Sequence, residues 1–294
     1  MQSSVERSTI LRHSSALAPL DMEELSAKTA QLSQFETPAP QRRVVLLGAS
    51  NLSIMFPTVV ESARAMFAQP LEMFVAKGLG RSYGQQSKFF GKKISGILQS
   101  GLWDAMGRAP TLPTVAVIAD IGNDLAYEAP VETIIQWVEA TLDRLAATSA
   151  QVVLNNLPLT SLQSVGAVRY GVFRELLFPG CRLSRPELLR RAERLSEALQ
   201  HLADKRKMPI FSGQGESYGL DPIHPRRAAA GKVWQQMLGA LAASPGVAPL
   251  VRPNAAKTLR LYQLKPQAWS QFGWSRRAAQ PCGRLVDGTT IALF

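Results

Sequence analysis

The sequence predicts an α/β domain with parallel strands in one sheet and helices on both of its faces. Three observations lead there. Apolar runs of strand length recur at Val44–Leu47, Leu71–Ala76, Thr114–Ile118, Gln151–Leu154 and Met208–Phe211. Stretches with helical spacing separate several of them, such as Ile134, Ile135, Val138 and Leu142. Glycine-bearing turns, at Gly48, Gly78 and Gly122, come close behind the first three runs.

Taken in order, residues 1–41 form a weakly structured arm rich in Ser, Gln and Ala. A short helix fits 21–32, and the prolines at 38 and 40 mark a boundary. Residues 42–244 carry the alternating pattern. The first strand is followed by a helix over Asn51–Phe67, with Pro57 tolerated early in it. The third strand is followed by a helix over Val131–Ala147. Pro158–Leu183 reads as a long irregular stretch. Ser184-Arg185-Pro186-Glu187 then opens a helix as a capping box, with Pro in its first turn. A last helix covers Arg226–Ala243. Residues 245–294 read as a basic extension packed on or edging the core, with strand-like segments at Leu259–Leu264 and Arg284–Phe294.

A chain of 294 residues, 46% hydrophobic and 19% charged, buries a sizeable core. Its longest apolar runs fall well short of the roughly 20 residues that cross a bilayer, so no membrane span is expected. The first 20 residues carry Glu6, Arg7, Arg12 and His13 and no apolar core, which speaks against a secretory signal. Two cysteines, Cys181 and Cys282, lack metal-ligand spacing and suit a reducing compartment. The expected location is cytoplasmic. The net charge of +11 raises nucleic acid as a partner. Much of the excess sits in the tail, where seven basic residues from Arg252 onward face only Asp287. A basic tail speaks for solubility more than for a nucleic-acid groove.

Three segments carry chemistry: Gly48-Ala49-Ser50, Gly122-Asn123-Asp124 and Asp221-Pro222-Ile223-His224. All three are expected at the carboxyl ends of strands, where open parallel sheets hold ligands. Ser50 begins a helix, whose free N–H groups and positive dipole end favour an oxyanion. Taken alone, Ser50 is equally a helix cap and Gly122-Asn123-Asp124 equally a turn. An Asp and a His three apart within one loop let the carboxylate reach Nδ1 and leave Nε2 for a serine. Of the three histidines, His13 lies in the arm and His201 on a polar helix face, which leaves His224 as the general base. A nucleophile, a base, its orienter and an oxyanion donor are the parts of acyl transfer.

On these residues the chain resembles the SGNH, or GDSL-type, hydrolases over about residues 42–244, in the order of that superfamily's blocks. The resemblance implies a flavodoxin-like three-layer α/β/α fold with about five parallel strands in order 2-1-3-4-5. It also implies ester-cleaving chemistry without a cofactor or metal. Ser50 would be the nucleophile, His224 the base and Asp221 its orienter. The Ser50 and Gly80 N–H groups and the Asn123 amide would hold the oxyanion. Gly80 is preferred to Gly78 because Gly80-Arg81-Ser82 resembles the second block. The first block usually reads Gly-Asp-Ser; here Ala49 replaces the Asp, and Asn51 offers a substitute polar contact.

The expected partner is a small ester, with Tyr170 and Phe173 walling its pocket. Arg81, in a basic cluster with Lys77, Lys88, Lys92 and Lys93, would attract an anionic substrate. The same residues would serve an acyltransferase. A non-catalytic binder with a basic tail is the alternative from another class.

Overall fold

The central strand β1 (Arg42–Leu47) organises the molecule, because it is paired on both sides and nearly all of it is buried. The computed structural model describes residues 38–294 apart from 68, 90, 214, 220 and 243–248. The expected arm up to residue 37, with its short helix at 21–32, lies outside the described residues. So does position 243, where the last expected helix ends.

After β1 come α1 (Ser50–Met66), β2 (Leu71–Ala76), β3 (Ser87–Phe89) and β4 (Lys92–Ile94). Then follow α2 (Leu102–Arg108), β5 (Thr114–Ile118), α3 (Asn123–Ala126), α4 (Val131–Ala146) and β6 (Gln151–Asn155). Two further helices, α5 (Leu159–Gln163) and α6 (Ala167–Leu177), precede α7 (Arg185–Arg206), β7 (Ile210–Phe211) and α8 (Arg227–Gly239). The chain closes with α9 (Ala255–Gln263), β8 (Ala268–Gln271), β9 (Trp274–Arg277), β10 (Gly283–Arg284) and β11 (Thr290–Leu293).

Among the described residues the main sheet has seven strands, in order β10-β11-β2-β1-β5-β6-β7. All neighbours are parallel except β10 and β11. The five strands expected from the sequence keep the order 2-1-3-4-5. Side chains alternate across a strand, so each strand feeds two cores. Val45, Leu47, Ala116 and Ile118 pack on the face covered by α4 and α7. Val44, Leu46, Val115 and Val117 pack on the face covered by α1 and α8. Each of these valines and leucines, fully buried, contributes about 1.5–3 kcal/mol. The result is a three-layer α/β/α arrangement.

Two segments differ from expectation. Pro158–Leu183 is not irregular: it holds α5 and α6. Its breakers, Pro158, Gly166, Gly171 and Pro179-Gly180, mask the helical pattern, and α6 has no fully buried residue. Leu259–Leu264 is helical, as α9, not a strand. Leu259 and Leu261 do alternate, but one is exposed and the other buried. The helix is started by the Asn254 side chain, which accepts from the Lys257 N–H.

The tail from Ala255 onward joins the body through α9, whose Leu261 packs in the core beneath α1, and through two strand pairings. β11 pairs in parallel with the outer edge of β2, from Thr290 opposite Glu72 to Leu293 opposite Val75. β8 pairs with β4 in a separate antiparallel sheet, order β3-β4-β8-β9. Residues 38–294 cluster as one compact unit. No described helix is long and apolar enough to cross a membrane.

Candidate active site

Ser50, His224 and Asp221 meet in one hydrogen-bonded line. His224 Nε2 lies 2.7 Å from Ser50 Oγ, and Nδ1 lies 2.5 Å from Asp221 Oδ2. The first contact joins residues 174 positions apart. The loop that carries the pair is pinned at both ends. Asp221 Oδ1 accepts from the N–H groups of Ile223 and His224, at 2.9 and 3.1 Å. The Arg226 N–H donates to Ser217 O at 2.7 Å. Pro222 and Pro225 further restrict the backbone.

Ser50 is not the cap of α1. It is the first helical residue, and Ala49, at the cap, has no side-chain oxygen to offer. Asp120, two residues beyond β5, does that work from a distance. Its Oδ2 accepts from the Ala49 N–H at 2.6 Å and the Leu52 N–H at 3.3 Å, and its Oδ1 accepts from Asn51 Nδ2 at 2.7 Å. The carboxylate absent at position 49 is thus supplied here from position 120. Asn51 Nδ2 also reaches Ile223 O, at 3.3 Å, linking the serine turn to the histidine loop. The turn is tight, since a Cβ on Gly48 would come within 3.1 Å of Asp120 Oδ2 and Leu52 Cβ. Asp120 has φ +63°, in the left-handed region that Asp tolerates better than most residues. Asp120→Ala should cost about 3 kcal/mol by chemical denaturation, because two backbone N–H groups and an amide lose a charged acceptor.

The electrostatics follow from this geometry. Burial favours neutral His224, but the hydrogen bond and charge of Asp221, with Asp120 beyond, outweigh it and raise the pKa above 6.5. Burial likewise favours the neutral form of Asp221, which for a carboxyl works to raise the pKa. There too the imidazole and the two backbone N–H groups win, and the carboxyl is held below its ordinary value.

Asn123 begins α3, is 5% exposed, and its Nδ2 has no partner among the described residues. It lines a mostly apolar cavity of about 120 Å³. Asn51, Asp120 and Ile223, from the segments that carry the Ser-His-Asp line, wall one side of it, and Tyr170, Phe173 and Leu188 wall another. The neighbouring Asp124 accepts from the Tyr83 N–H, 41 residues away, at 3.0 Å. Burial pushes its pKa up to about 6.

Gly80 adopts φ +62°, and its carbonyl accepts from the Tyr127 hydroxyl. It does not line the cavity. Nor does Arg81, which corrects its assignment to a substrate pocket. Arg81 is wholly buried and donates to the carbonyls of Ser95, Lys77 and Phe294. Those carbonyl dipoles hold its charge inside the fold.

Sequence reasoning missed Asp120. The available signal is an acidic residue just past the end of an apolar strand, at the edge where ligands bind. Among the described residues no group of three or more His, Cys, Asp or Glu side chains is placed to hold a metal ion.

No family model matches this chain, and no curated protein does. Solved structures do. A GDSL-like lipase from Bacteroides thetaiotaomicron VPI-5482 is 13% identical, with TM-score 0.45 over 72% of this chain and 94% of that one. A carbohydrate acetylesterase family member from Sinorhizobium meliloti is 12% identical, with TM-score 0.46 over 67% and 95%. An acetyl xylan esterase, AlAXEase, is 12% identical, with TM-score 0.46 over 68% and 99%. These are likenesses of fold.

Proposed function

We propose that this chain is a serine hydrolase that cleaves carboxylic esters through an acyl-enzyme on Ser50. The continuous line Ser50 Oγ, His224 Nε2, His224 Nδ1, Asp221 Oδ2 carries the proposal. Neutral His224 accepts the Ser50 proton at Nε2 while Oγ attacks the acyl carbon. The carbonyl oxygen becomes an oxyanion, held by Asn123 Nδ2 and the N–H groups of Ser50 and Gly80. As the tetrahedral species collapses, the ester C–O bond breaks and the departing alcohol takes the proton from Nε2. Water, activated by the same imidazole, then releases the acid and restores Ser50. No step draws on a metal or cofactor. Tyr170 and Phe173 bound the space for the acyl group, and the apolar lining favours a hydrocarbon chain.

The partnerless Asn123 amide supports its place in the oxyanion site. A buried donor left unpaired is costly unless it is used in the reaction. Asn123→Ala should lower kcat by roughly 10²–10³-fold with little change in KM. An unchanged kcat would remove Asn123 from the role.

The reading as a whole is tested by incubating the protein with a fluorophosphonate probe and measuring intact mass. A single adduct, absent in Ser50→Ala, is the expected result. A folded protein that takes up no probe would overturn the proposal and favour a binding protein on the same scaffold.

A further inference from the structure

A second concavity lies at the same carboxyl edge of the sheet, beside the end of β2. It is an open cleft of about 420 Å³, walled by Ser53, Ile54, Lys77, Leu79, Lys92 and Lys265 among others. Its placement follows from the topology. Lys77 directly follows β2 and leads through Gly78 and Leu79 to Gly80, while Ser53 lies one helical turn beyond Ser50. The apolar cavity is walled by residues that follow β5 and β6, the cleft by residues that follow β2, and β1, which leads to Ser50, lies between β2 and β5.

The cleft collects positive charge from three distant parts of the chain. Lys77 follows a strand of the main sheet, Lys92 lies on β4, and Lys265 comes from the tail. Aromatic faces hold two of the ammonium groups. Lys77 Nζ sits 4.6 Å from the Phe56 ring centroid and Lys92 Nζ 5.9 Å from that of Trp269. Among the described residues none of the three lysines has an ion-pair partner, whereas Lys257 of the same tail pairs with Glu61. Buried Arg81 adds its field to both Lys77 and Lys92. Burial first, and then the charges of Lys92 and Arg81, pull the Lys77 pKa down to about 8. Like charges gathered without a counter-charge are costly, and a dianion between them relieves the repulsion. Ile54 and Leu79, 49% and 45% exposed, line the same cleft and offer an apolar surface beside the charge.

We propose that this cleft binds a phosphate group carried on the alcohol portion of the ester, while the acyl portion occupies the apolar cavity. The assignment of the phosphate to a substrate rests on the hydrolase reading; the binding of phosphate does not. A dianion matches the three ammonium groups better than a single carboxylate does, and lysines serve as point charges for phosphate.

The test is calorimetric titration of phenyl phosphate into Ser50→Ala protein, which removes turnover from the measurement, with benzyl alcohol as the neutral control. Saturable binding of phenyl phosphate and none of benzyl alcohol is expected. Lys77→Met and, separately, the exposed Lys265→Met, each in the Ser50→Ala background, should weaken the Kd about tenfold. No saturable binding, or an affinity unchanged in whichever lysine variant is folded, would overturn the proposal. Phosphatidate vesicles separate two sources of the group. Flotation with vesicles that phenyl phosphate displaces marks a lipid head group, whereas binding of phenyl phosphate alone marks a soluble ester. A protein that binds phosphate yet takes up no fluorophosphonate would sink the hydrolase reading and leave the phosphate site standing.

Discussion

Ser50→Ala should lower kcat/KM for a short-chain aryl ester by roughly 10⁴–10⁶-fold. The thermal midpoint should stay within a few degrees of wild type. The two expectations are separable because of where the hydroxyl sits. The turn that presents it is held by Asp120, through the Ala49 N–H and the Asn51 amide, and not by Ser50 itself. The serine hydroxyl contacts His224, so its loss removes a reacting group without leaving α1 uncapped. The residual rate would come from the remaining oxyanion donors and from substrate positioning. Steady-state kinetics beside a thermal melt checks both, and a loss of less than tenfold would exclude Ser50 as the nucleophile.

Asp221→Asn is expected to lower kcat by roughly 10³–10⁴-fold, for a different reason. The Asn amide donates to Nδ1 instead of accepting from it. The imidazole then carries its proton on Nε2, facing Ser50, where it cannot act as base. The same change has a pH signature. In the wild-type protein His224 must be neutral to accept the serine proton, and its pKa is raised above 6.5. Activity should therefore be lost as pH falls through a midpoint above 6.5. Without the Asp221 carboxylate the burial that favours the neutral ring prevails, so the midpoint of the residual activity should move down. A pH–kcat/KM profile of both proteins decides it. An unmoved midpoint would mean that Asp221 does not set the charge state of His224.

The strands and the Ser-His-Asp line were legible for related reasons. Val44–Leu47 and Thr114–Ile118 are buried on both faces, so they read as continuous apolar runs whatever surrounds them. The start of α7 was legible because its cap is local: Ser184 accepts from the Glu187 N–H three residues on. Asp221 and His224 announced themselves by lying three apart. What stayed hidden depends on partners far along the chain. Asp120 caps a helix about 70 residues upstream, and nothing near it in sequence marks that role. Arg81 reads as a surface cation, yet it is enclosed by carbonyls from Ser95 and from Phe294, 213 residues away. The helix α6 went unread because its apolar residues form no single buried stripe. Val168, Val172 and Leu176 face outward, while Tyr170 and Phe173 turn to the cavity.

The pairing of β11 with β2 bears on how the chain is made. The two strands are more than 200 residues apart, and the Leu71 N–H donates to Thr289 Oγ1 across a separation of 218 positions. During synthesis the outer edge of β2 therefore waits for almost the whole described chain to emerge. Until then it offers unsatisfied backbone groups on an apolar strand, a template for pairing with another nascent copy. A protein truncated after Gly288 should be found mostly in inclusion bodies, and adding the missing segment back as a peptide during refolding should recover soluble material. The last strand, remote from the serine in sequence, is in this sense the element that closes the sheet to strangers.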